Sequence, residues 1–185
     1  MIEDATAAAI LKSKIEASAS VADRLSYSVW RAQNLGLAPL DMERLIRLSD
    51  DEMEVIDAYM FRYGSLVSNI QDGIFKSIGE IEDEPVSSMS NRDKTNLMER
   101  LGALPSASEF SSIAVVRNKL MHEYPEEMQK HLERINFITS EAQKLLQVFV
   151  GIVKYAAKFE VHVALDGFRY LHRFEHGVES DAPRG

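Results

Sequence analysis

The chain of 185 residues contains no cysteine, which excludes disulfides and any zinc or iron–sulfur site built on thiolates. Glycine and proline are scarce, nine and five, while Ala, Leu, Glu, Lys and Met are plentiful, a balance that favours helix. No apolar run approaches the roughly 20 residues of a membrane span; the longest, LLQVFVGIV at 145–153, is interrupted by Gln147. The first residues, MIEDATAAAI, are acidic where a secretory signal would be basic. These absences predict a water-soluble, cytoplasmic protein with no membrane partner.

Basic charge is also short. The net charge is −8, and residues 41–91 account for all of it, with four basic residues against twelve acidic ones. Phosphate contacts need Lys and Arg, so such a chain is a poor non-specific nucleic-acid binder. DNA is not an expected partner, and any RNA has to be handled at a confined site.

What is present reads as helix. Residues 5–35 form an Ala-rich helix closed near Gly36 and Pro39, and DMERLIRL is a short second one. Ser49 and Glu52 make a capping box. The helix they open carries Met53, Ile56, Met60, Tyr63, Val67, Ile70, Ile74 and Ile78 at spacings of three and four, a core stripe. NRDKTNLMERL ends at Gly102. Ser106 and Glu109 form a second capping box, and Ile113, Val116, Leu120 and Met121 face inward behind it. Pro125 stops that helix and opens the next, over 125–159. HVALDGFRYLHRFEH reads as a last helical turn or a strand-like piece, and GVESDAPRG as a frayed tail. The expected fold is all-α: an up-and-down bundle over 46–160 with two long antiparallel helices, an N-terminal helical extension over 1–45, and a C-terminal segment over 161–185.

One stretch, VVRNKLMHEYPEE at 115–127, places Arg117, Asn118, His122 and Tyr124 at the end of an otherwise apolar helix. Asn118 and His122, four apart, share a face. Arg117 and His122, five apart, diverge by about 140° around the axis. One chain therefore spreads these groups, whereas a two-fold pair of chains brings both sets to one cleft. A homodimer is expected.

The pattern R-x4-H, with a polar residue after the arginine, resembles the signature of HEPN domains. Its longer form, reaching Tyr124, resembles the HepT toxins of toxin–antitoxin modules whose antitoxins are minimal nucleotidyltransferases. The resemblance covers roughly residues 50–160. It implies a metal-independent endoribonuclease without cofactor, with Arg117 and His122 catalytic and Asn118 supporting. It also implies a homodimer acting on an RNA substrate such as tRNA or mRNA, silenced when the partner nucleotidyltransferase attaches AMP to Tyr124. The residue types suit the chemistry. Histidine titrates near neutrality and can move the proton of a 2′-hydroxyl, and the arginine fork holds a phosphate as charge builds on it. The alternative implied by the same resemblance is a non-catalytic module that binds a nucleotidyltransferase or a nucleotide.

Other motifs are weaker. HRFEH, His172 to His176, matches a zinc-peptidase spacing but lacks a third ligand, so a polar C-terminal helix is the preferred reading. His131 and His162 are expected to be structural, and the methionines to be core filling.

Overall fold

The computed structural model describes residues 2–122 and 127–176, with side chains over 6–117 and 127–176. Helix α1 (Ile2–Asn34) buries Leu11, Ile15, Ala19, Ala22, Leu25, Val29 and Ala32, spaced by three or four residues. Its alanines let neighbouring backbones come close. A loop with a cis Ala38–Pro39 bond leads to α2 (Met42–Ile46), capped by Asp41, which accepts from the Arg44 N–H at 2.7 Å.

The Ser49 capping box forms as its sequence predicts: Ser49 Oγ accepts from the Glu52 N–H at 3.3 Å, and Glu52 Oε2 accepts from the Ser49 N–H at 3.0 Å. The Arg44 guanidinium, followed by the Ser49 N–H, holds the Glu52 carboxyl down at about 2. From this cap α3 (Asp50–Ser68) runs into a π-helical segment (Asn69–Ile74) and then α4 (Phe75–Ile81), one continuous rod. Of its expected stripe, Ile56, Tyr63, Val67, Ile70, Ile74 and Ile78 are buried, while Met53 and Met60 are half-buried. Gly79 sits directly beneath Val86, where an added Cβ would come within 2.1 Å of a methyl group.

Helix α5 (Asn91–Leu101) is capped by Ser90 and ends on Gly102, whose φ of 81° is the left-handed conformation that glycine adopts without penalty. Helix α6 (Ala107–His122) begins with Ser106 Oγ accepting from the Glu109 N–H at 3.2 Å. Helix α7 (Met128–Ala156) carries a buried row from Leu132 to Ala156. A 3-10 turn (Ala157–Phe159) and an irregular link then lead to α8 (Arg169–His176).

Residue pairings give the helix directions. Arg62 donates to Ser28 Oγ, and Gly73 lies beside Lys14, so α1 and α3 are antiparallel. Gly64 lies beside Arg117, and Phe75 packs on Phe110 with ring centroids 5.2 Å apart, so α6 is also antiparallel to the rod. Asp57 near the start of α3 acts on His131 near the start of α7, while Glu82 beyond α4 accepts from Tyr155 at 3.3 Å and from Lys158. The two long helices α3 and α7 thus run parallel. This corrects the expected antiparallel pair, because α6 returns the chain between them. One apolar core joins α1, α3, α4, α6, α7 and Leu171 of α8.

The segment from Arg169 is helical, so the strand-like alternative falls and the polar C-terminal helix stands. Its N-terminus is capped across the fold: Asp23 Oδ1 on α1 accepts from the N–H groups of Tyr170 at 2.7 Å and Leu171 at 3.1 Å. The described residues are all-helical, without strands, and no helix among them is long and apolar enough to cross a membrane.

Candidate functional site

Helix α6 brings the motif to one end of the bundle, the end where α1 finishes and α3 and α7 begin. Two contacts from α3 fix the turn that carries Arg117. The buried Tyr63 hydroxyl donates to the Ile113 carbonyl at 3.0 Å, the carbonyl that the Arg117 N–H meets in a regular helix. One residue further along α3, Gly64 leaves room for the arginine stem, with Arg117 Cγ 3.8 Å from where a glycine Cβ would stand. Burial pushes the Tyr59 and Tyr63 phenols well above their ordinary range, so both are neutral hydrogen-bonding groups.

Arg117 is half-buried and shares the α3-facing side of α6 with the buried Phe110 and Ile113. Positions 118 and 122 belong to another row. At helical spacing they continue Ser108, Ser111 and Val115, which line a groove between α5 and α6. The groove has a volume of about 620 Å³, and Gln71, Asn91, Arg92, Asn96 and Glu99 form its other wall. By helical spacing, position 117 therefore stands apart from the row of positions 118 and 122. Asn118 and His122 belong to the last turns of α6, but their side chains lie outside the described ones, and Tyr124 lies outside the described residues altogether.

The groove wall was not legible in the sequence. Gln71 is buried within the rod and reaches the groove because it stands in the π-helical segment, which widens the turn and shifts register; no apolar period announces it. His131, expected to be structural, lies half-buried near the start of α7, facing Asp57. Burial first, then the neighbouring Arg134, lowers its pKa against the opposing pull of Asp57. His162 is exposed on the link before α8. His172 and His176 lie against each other, their rings tilted by 47° with centroids 4.5 Å apart, and among the described residues no three His, Asp or Glu side chains gather as a metal site.

Compared with protein-family models, with curated proteins and with solved structures, the chain matches none.

Proposed function

We propose that the chain is a HEPN-type, metal-independent endoribonuclease of a type VII-like toxin–antitoxin system, active as a homodimer in the cytoplasm. The observation that carries this reading is the end of α6. Arg117 stands on one side of the helix, and by helical spacing positions 118 and 122 fall on another row of the same helix. A two-fold partner supplies the complementary set. His122 accepts the proton of a ribose 2′-hydroxyl, the 2′-oxygen bonds to the adjacent phosphorus, and the bond to the 5′-oxygen breaks as that oxygen takes a proton from water, the protonated His122 then returning its own to solvent. A cyclic phosphate and a 5′-hydroxyl end result. Arg117 holds the phosphate while charge builds on its oxygens, and Asn118 supports the cleft. A minimal nucleotidyltransferase silences the enzyme by transferring AMP from ATP to the Tyr124 hydroxyl with release of pyrophosphate, and the bulky anion then stands beside His122.

The test is RNA cleavage by the purified protein in excess chelator. Wild type is expected to cut, and Arg117→Ala and His122→Ala to lose cutting while keeping the wild-type melting temperature. An inert wild-type protein overturns the proposal. One observation favours a second reading, a non-catalytic module bound by a nucleotidyltransferase: Arg117 packs its stem against α3. That reading expects partner binding that survives His122→Ala, with no RNA breakdown by any variant.

A further inference from the structure

Although the chain is acidic, three arginines meet where α1 crosses α3. Arg24 and Arg31, seven residues apart, lie on one face of α1, roughly 10 Å from each other along its axis, and both are exposed. Between them Ser28 receives the Arg62 guanidinium from α3. Among the described residues, none of the three forms an ion pair. Burial first, then the neighbouring Arg24 and Arg31, weigh against the Arg62 charge, and no carboxylate acts on it. Like charges held together without a counter-charge are costly unless something anionic joins them.

The outward face of α3 beside this cluster also carries the exposed Asp57 and Glu54, one and two turns before Phe61. Around α3, at about 100° per residue, the arc from Arg62 through Ser65 to Phe61 faces outward, Gly64 at its edge is buried against α6, and the opposite arc holds the buried Tyr59, Tyr63 and Leu66. Phe61 is 68% exposed, the most exposed large apolar side chain on the described surface. Beyond it lies Gly64, with Arg117 against it. A guanidinium cluster, a bare aromatic ring and a further arginine thus follow one another across a single helix.

We propose that single-stranded RNA lies across α3, its phosphates on Arg24, Arg31 and Arg62, a base stacked on Phe61, and the following phosphate delivered to Arg117. The ring and the uncompensated cations choose this occupant. Stacked bases use an exposed aromatic face, and phosphates use separated guanidinium groups. The path rests on the cleavage reading for its destination and on the arginine cluster and Phe61 for its course.

The experiment measures binding of a fluorescein-labelled 12-nucleotide single-stranded RNA to the His122→Ala protein by anisotropy across a salt series. Arg24→Gln/Arg31→Gln/Arg62→Gln is expected to weaken binding and to reduce the slope of log K against log salt by about 2, the share of three phosphates on a single strand. Phe61→Ser is expected to weaken binding about tenfold. Arg24→Glu/Arg31→Glu, at two exposed positions, is expected to weaken binding without touching the Ser28 contact, and Arg47→Gln to change nothing. The path is overturned if the triple variant keeps its affinity and slope, or if polyglutamate of equal charge competes as well as RNA. It is equally overturned if Phe61→Ser separates a dimer while leaving RNA affinity intact. Patch-dependent binding by a wild-type protein that cuts nothing overturns the nuclease reading alone. Cutting that ignores the arginine substitutions overturns the path alone.

Discussion

Gly64 of α3 and Arg117 of α6 lie against each other, with Cγ of the arginine 3.8 Å from the position a Cβ would take. That spacing is an ordinary contact for one methyl group and too little for a branched side chain. Glycine inside a helix costs about 0.5–1 kcal/mol relative to alanine. Gly64→Ala is therefore expected to raise stability by that amount and to leave cleavage intact. Gly64→Leu is expected to displace the arginine and cut activity at least tenfold while the protein stays folded. Chemical denaturation and a cleavage assay on the two variants check both halves.

The second expectation concerns pH. Burial and Arg134 hold the His131 pKa below its ordinary value, so as pH falls the unfolded chain takes up this proton before the folded chain does. The contribution is fully present above about pH 6.5, the unperturbed value, and is lost as pH falls below it toward the lowered pKa. Urea midpoints of wild type are expected to drop between pH 7.5 and 5.5. His131→Gln is expected to flatten that part of the profile, and an unchanged slope in the variant contradicts the assignment.

A third follows from the cap on α8. Asp23 satisfies two N–H groups at the start of that helix, and losing such a cap costs about 1 kcal/mol. For a chain of this size the melting temperature is expected to fall by roughly 2–4 °C in Asp23→Ala. The cap also holds Tyr170, whose ring lies 6.2 Å from that of Trp30, the only tryptophan in the chain. Loosening α8 is therefore expected to shift Trp30 emission to the red, a change that a general loss of stability does not produce in the folded state.

Features that one segment encodes by itself were legible in the sequence. The Ser49 box, the Gly102 end of α5 and the rod's apolar stripe each depend on residues within a turn or two of one another, and each formed. Features that need a distant partner were not. The cap of α8 comes from Asp23, about 147 residues earlier. The direction of α7 against α3 is set by contacts such as Glu82 with Tyr155, far apart in sequence. The π-helical turn that carries Gln71 into the groove leaves no trace in the apolar spacing. At the site, the helix that carries positions 117 to 122 was legible from its apolar spacing. The burial of Arg117 was not, because Gly64, 53 positions away, makes the space for it.

The most direct test of the account mixes two inactive proteins. Arg117→Ala and His122→Ala, each unable to cut RNA alone, are unfolded together, refolded together and assayed. If one cleft draws its arginine and histidine from different chains, mixed dimers regain a substantial fraction of wild-type cleavage. A mixture as silent as its parts contradicts a site shared across two chains.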